Sequence, residues 1–233
     1  IVNGVRADDY VFDVDTQSNG KIIISGMFDN YNNISTKKIA RLNNDLTLDT
    51  TGFNVSGPIP ANIYAYDMKV IKNSGANYNK ILLGGWFDGW SGHNSGFGLV
   101  RLFSNGNYDT SFNTQSLATT TSYRGFTYQS GSSISKGMVF EVFVIPDNGP
   151  SGYAGKILVG GQFTHYNGYP AKSLVMLEPN GDYNPNPASL CKIFNTNVNS
   201  NGGFTESVGG IALQKIPLSS TQYLLIGGCW ICK

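Results

Sequence analysis

The chain has 233 residues, 40% of them hydrophobic and only 13% charged, against about 25% charged residues in a typical globular protein. Glycine (29), tyrosine (13), phenylalanine (13) and 25 asparagines make up the difference, and 16 Lys and Arg against 15 Asp and Glu leave a net charge of +1. That balance argues against nucleic acid or an anionic membrane as partner, and no run of about 18 apolar residues is present to form a transmembrane helix.

The sequence opens on Ile1 rather than Met, and Ile1 to Tyr10 has no signal-peptide pattern, so a processed or partial chain is expected. Three cysteines are too few for a disulfide-dense scaffold, and the odd count leaves at least one thiol free or paired outside the chain.

In chain order, one phrase recurs. Lys21 to Phe28 (KIIISGMF) returns as Lys80 to Phe87 (KILLGGWF) and as Lys156 to Phe163 (KILVGGQF). A drifted fourth copy is Tyr223 to Trp230. The second glycines, Gly26, Gly85, Gly161 and Gly228, lie 59, 76 and 67 residues apart. Before each glycine sits an alternating stretch (Val11 to Val14, Tyr64 to Val70, Val139 to Ile145, Ile211 to Leu213). After it come a second apolar unit (Ile39 to Leu42, Leu99 to Leu102, Leu174 to Leu177) and a closing phrase, Leu48 to Asn54 or Tyr108 to Asn113. The third copy closes more loosely at Ile193 to Asn195.

Short β-branched or aromatic runs bounded by Asn, Gly, Asp and Ser predict strands. Asn19-Gly20, Asn105-Gly106 and Asn180-Gly181 predict hairpin turns. The stretch from Lys37 to Leu48 has an amphipathic helix period, but its copies contain Gly98 and Gly106, or Pro179 and Gly181, so it is read as β. About four strands per unit, repeated in series, predict an all-β propeller of four-stranded antiparallel blades. The units are 11–54, 64–113, 139–195 and an incomplete 208–233, making one propeller of about three and a half blades over 1–233. It is therefore expected to be a piece of a longer chain, or to be completed by another copy.

The order "Gly-Lys-Ile-Leu-Val-Gly-Gly-Gln-Phe-Thr … Arg-Leu … Asn-Gly … Asp-Thr-Ser-Phe-Asn" resembles the delta-60 repeat family of β-propellers. Gly155 to Thr164 carries its first half and Arg101 to Asn113 its second; the resemblance covers about Val11 to Trp230. Two departures are Ser25 for the first glycine of unit one and Met176 for the arginine of unit three. The resemblance implies a propeller module within large bacterial surface or secreted proteins or phage virion proteins, with motif residues that are structural rather than catalytic.

Residues that could carry chemistry are few. Cys229 and Cys232 form a Cys-x-x-Cys, half a zinc site or a redox dithiol, with Cys191, His93 and His165 as further ligands. Residues three apart on a strand face opposite ways, so buried inert thiols are expected and no metal or cofactor is assigned. The two histidines have no nucleophile beside them in sequence. Asp49 and Asp109 close blades, Asp29 and Asp88 follow the aromatic residue, and no sialidase-type Asp box exists, so no catalytic pair is assigned. Asp8, Asp9, Asp13 and Asp15 lack calcium-loop spacing. Arg41 and Arg101 recur at one position in a charge-poor chain and are read as ties between blades, with Asp49 and Asp109 as partners.

Variable connections between constant strands read as recognition loops. They are Asn73 to Asn79, Thr114 to Gly137, Pro146 to Gly155 and Thr196 to Ser207. Trp90, His93, Tyr123, Phe126, Tyr128, His165 and Tyr166 are expected to contact a partner protein or a surface glycan. The expected function is noncatalytic: a structural or recognition module of a larger assembly, a phage tail first. A bacterial surface or secreted binding propeller is the alternative, and a glycoside hydrolase the lesser one.

Overall fold

The computed structural model describes residues 6–55, 63–90, 93–115, 124–184, 207–215 and 222–228. Among them every regular element is a strand. The first sheet joins β1 (Val11–Thr16) to β2 (Ile22–Gly26) and, beyond a small hairpin of β3 (Asn30–Tyr31) and β4 (Ile34–Ser35), to β5 (Ile39–Leu42). The second runs β6 (Tyr64–Val70), β7 (Ile81–Trp90), β8 (His93–Leu102). A hairpin of β9 (Phe126–Ser130) and β10 (Ser133–Lys136) precedes the third sheet. That sheet pairs β11 (Met138–Val144) with β12 (Ile157–Gln162) and, past the hairpin β13 (His165–Tyr166) and β14 (Tyr169–Pro170), with β15 (Leu174–Leu177). The last pair is β16 (Val208–Lys215) with β17 (Gln222–Gly228). All these ladders are antiparallel, and no sheet closes on itself among the described residues.

Each full sheet is one repeat unit, so the expected all-β architecture of successive blades is present. The fourth strand of a blade is reduced to one residue: Leu48 bridges Leu42, and Tyr108 bridges Leu102. The Asp that follows each (Asp49, Asp109) turns the chain away by bonding its arginine, which leaves no room for a longer ladder. The stretch from Lys37 to Leu48 is β5 and a turn, as its copies required. In that turn Leu46 adopts φ 67°, where the other blades place Gly106 (88°) and Gly181 (85°).

The glycine repeat has one structural cause. Gly26, Gly85, Gly161 and Gly228 pair with Val11, Ala65, Val139 and Val208, and each partner strand bulges immediately afterwards. The bulge pushes a carbonyl onto the glycine. A Cβ at Gly26, Gly85 or Gly161 would overlap the carbonyl oxygen of Tyr10, Tyr64 or Met138. Close backbone approach, not flexibility, fixes glycine there.

Apolar residues from all three strands of the sheets fill the space between blades. Leu82, Val142, Val159 and Val175 lie in one core cluster, and Ile23, Met68, Leu83 and Val100 in another.

Candidate binding surface

The repeated charges form a clasp between blades. Arg41 Nε donates to Asp49 Oδ2 at 3.0 Å, and its Nη1 donates to the Ser104 carbonyl of the next blade at 2.9 Å. Arg101 does the same, to Asp109 Oδ2 at 2.8 Å and to the Pro179 carbonyl at 2.7 Å. Lys21 and Lys80 add second cations to the two carboxylates, at 3.2 and 2.9 Å. Burial disfavours the charge on Asp49, but the Gly52 amide, Lys21 and Arg41 outweigh it and hold the pKa at about 2. Burial also opposes the charge on Asp109, where Ser111, Lys80 and Arg101 prevail, again giving about 2.

The closing phenylalanine completes the clasp. Phe53 and Phe112 lie under the guanidinium groups of Arg41 and Arg101, 5.2 and 4.8 Å from ring centroid to Cζ. Their far edges press on Gly106 and Gly181 in the turns of the following blades. The next residue seals the joint: Asn54 N–H donates to the Asn105 carbonyl (2.9 Å) and Asn113 N–H to Asn180 (2.8 Å). In blade three Met176 replaces the arginine and is buried.

Several residues expected at a recognition surface lie inside. Trp90 is fully buried, packing edge-on against Phe87. Phe126 is also fully buried, with its ring centroid 4.5 Å from Phe163 and 4.6 Å from Tyr166. Tyr166 is buried and its hydroxyl donates to the Gly181 carbonyl at 2.5 Å. The reason is tertiary. Half of the connection 114–137 is the hairpin β9–β10, and β9 pairs with β13, which shuts Phe126 and Tyr166 into one core, while Trp90 is enclosed with Phe87 in another. Tyr128 remains exposed. His165 is half-buried, its Nδ1 2.9 Å from Thr164 Oγ1, and burial lowers its pKa. The backbone of His93 pairs with Trp90 in the β7–β8 ladder. Tyr123, Cys191, Cys229, Cys232 and the connection 196–207 (but for Ser207) lie outside the described residues.

A row of exposed and partly exposed aromatics stands elsewhere, on and beside the first strand of each of the first three blades. In the first three blades the residue in the bulge is aromatic (Phe12, Tyr66 and Phe140), whereas the fourth bulge holds Gly209. Ring centroids lie 5.8 Å apart from Phe12 to Tyr66 and 5.5 Å from Tyr66 to Phe140, so one row crosses three blades. Tyr10 stacks on Phe12 at 6.3 Å, Tyr64 on Tyr66 at 5.9 Å, and Trp86 on Tyr64 at 5.6 Å. Lys136 caps the Trp86 end, with Nζ 4.7 Å from the ring and 3.4 Å from Asp88. Tyr10 is 69% and Phe12 42% exposed, and Tyr64, Tyr66, Trp86 and Phe140 are partly so.

Beside the three rings, the next residue of the bulge is acidic: Asp13, Asp67 and Glu141. Asp13 Oδ2 accepts from Met68 N–H (2.9 Å) and Asp67 Oδ2 from Val142 N–H (2.6 Å), so each carboxylate ties its strand to the next blade. Burial, then the neighbouring Glu141 and Asp13, raises the Asp67 pKa to about 8 against the pull of Lys69 at 3.6 Å. Burial likewise raises that of Glu141. Among the described residues no group of three His, Cys, Asp or Glu is placed to hold a metal ion.

Sequence reasoning passed over these rings. The signal was present as Val-Phe-Asp, Ala-Tyr-Asp and Val-Phe-Glu at 11–13, 65–67 and 139–141, but simple alternation hides it because the bulge turns the ring out of the period.

The fold thus defines a class: an all-β protein of successive antiparallel blades clasped one to the next. A family model described as a domain of unknown function (DUF5122) β-propeller matches residues 17–51, 79–112 and 155–186. Each match starts in the turn before a blade's second strand; the first two run into the closing phrase, and the third ends at residue 186. No curated protein and no solved structure matches the chain.

Proposed function

We propose that the chain is a noncatalytic β-propeller module that acts by contact, as a scaffold or recognition element of a larger assembly. Its resemblance to delta-60 repeats suggests a phage tail or tail fibre as that assembly, with a bacterial surface or secreted protein as the alternative. The observation that carries the reading is the ring row Tyr10, Phe12, Tyr66, Phe140, which places apolar faces from three blades on one surface. Aromatic faces suit the flat apolar side of a sugar ring or a partner's side chains, and bulges are common beside functional sites. Two of the three acidic side chains next to them, Asp13 and Asp67, accept backbone amides of neighbouring blades, which supports a contact role over hydrolysis.

The test is binding of the purified chain to bacterial envelope glycans and to isolated tail particles, with Phe12→Ala and Tyr66→Ala beside the wild type. Loss of binding with unchanged circular dichroism is expected. Hydrolysis of any bound glycan, abolished by Asp67→Asn, would overturn the noncatalytic reading.

A further inference from the structure

Neighbouring blades obey a size rule. β2 packs on β6, β7 on β11 and β12 on β16. In each case the residue before the repeat's second glycine forms a seat, and the residue opposite that glycine in the next blade forms a knob. A Cβ at Gly84 would lie 2.6 Å from Val139 Cγ1 and 2.8 Å from Val142 Cγ2; one at Gly160 would lie 2.7 Å from Val208 Cγ1. These seats must be glycine because their knobs are valine. In blade one the seat is Ser25, fully buried, and the knob at the matching position of blade two is the smaller Ala65. Serine goes with alanine and glycine with valine.

Among the described residues, one knob face and one seat have no neighbouring blade packed on them. Val11 and Val14 on β1 are 45% and 60% exposed, whereas their counterparts Ala65, Met68, Val139 and Val142 are fully buried. At the other end of the array, Gly227 on β17 pairs with Gly210 as Gly84 pairs with Asp67 and Gly160 with Glu141. The exposed knob is valine, and the residue at the seat position of the last blade is glycine.

We infer that a second copy of this chain covers β1, seating Val11 and Val14 against Gly227 of its β17. The contact is head-to-tail and uses the interface already repeated within the chain, so it closes a ring if the rotation allows it. It is made by the strand face alone. Leu46 stands where Gly106 and Gly181 receive a phenylalanine ring, so no ring-over-glycine clasp forms at blade one.

The experiment is light scattering of the full chain across a concentration series, with Val14→Asp and, as a control for exposed aromatics elsewhere, Tyr128→Asp. The wild type and Tyr128→Asp should associate to a multiple of 25.2 kDa. Val14→Asp should weaken association by about tenfold or more, since it places a charge in an apolar seat, with unchanged circular dichroism. Gly227→Ser alone should also weaken it, and adding Val11→Ala should restore it, reproducing the Ser25 and Ala65 match. A monomer at every concentration, association indifferent to Val14→Asp, or no rescue by Val11→Ala would overturn the inference.

Discussion

Replacing Arg101 by methionine tests whether the clasp holds the blades together. Arg101 is almost fully buried and Asp109 fully so, with 2.8 Å between Nε and Oδ2. The substitution leaves that carboxylate with Lys80 at 2.9 Å and the Ser111 hydroxyl at 2.6 Å, and it removes the Arg101 donor from the Pro179 carbonyl. Breaking a buried ion pair from one side costs about 3–5 kcal/mol, because a charge is stranded rather than because the pair was strong. Lys80 still neutralises part of that charge, so the lower end, about 3 kcal/mol, is expected.

Blade three supplies the control. At the positions of Arg101 and Asp109 it carries Met176 and Asn184, an apolar residue with a neutral amide. The double variant R101M/D109N copies that solution, and it should recover at least about 1 kcal/mol of the single-variant loss as a coupling energy. Urea unfolding at neutral pH, followed by circular dichroism and tryptophan fluorescence, measures both. A single-variant cost below about 1 kcal/mol, or a double variant no more stable than R101M, would refute the clasp as a buried-charge device.

Stability should pass through a maximum at about pH 4. Asp49 and Asp109, with folded pKa values of about 2 against 3.8 unfolded, contribute about 2 kcal/mol each that is present above pH 4 and lost as pH falls towards 2. Asp67 works in the opposite sense: its folded pKa of about 8 favours the protonated native state, so stability declines as pH rises from 4 to 8. D109N should flatten the acid limb and D67N the alkaline limb of a plot of unfolding free energy against pH. Gly84→Ser should destabilise by about 1–3 kcal/mol through overpacking on Val139, and Val139→Ala added to it should cost less than it does in the wild type. Gly85→Ala has no such remedy, because its obstacle is the Tyr64 carbonyl, and it should fail to reach native stability in any side-chain background. Binding through the ring row should change less than about threefold between 0.1 and 1 M NaCl, a range in which exposed charge pairs are screened out.

How much of this was legible in the sequence depends on the range of the cause. Gly26, Gly85 and Gly161 could be aligned because a backbone carbonyl permits nothing larger, so the residue type itself records the contact. Arg41, Arg101, Asp49 and Asp109 stood out because so few charges surround them, but the sequence offered the two aspartates as partners without showing the pairing. Trp90, Phe126 and Tyr166 were read as exposed because burial is not a property of an aromatic residue. Phe126 is covered only when β9 meets β13, some forty residues on, and no local pattern announces that pairing. The interblade acceptors of the clasp, the carbonyls of Ser104 and Pro179, are backbone atoms and leave no mark in composition.

The same accounting explains the unusual composition. In most proteins charges face water and aromatic rings pack inside; here Arg101, Asp109 and Asp67 are buried between strands and blades, while Tyr10, Phe12 and part of Tyr66 lie outside. The arrangement follows from stacking thin sheets. A three-stranded blade offers little depth of core, so its joints are secured by charge-assisted bonds to backbone carbonyls and amides, which hold orientation as well as energy. Once the inner-strand bulge is spent on bringing a carbonyl onto the repeat glycine, its extra residue must point out of the ladder, and an aromatic there adds to a continuous row only if every blade has the same bulge. Repetition therefore builds the surface from the device that builds the joint: the three rings align because the three glycines do.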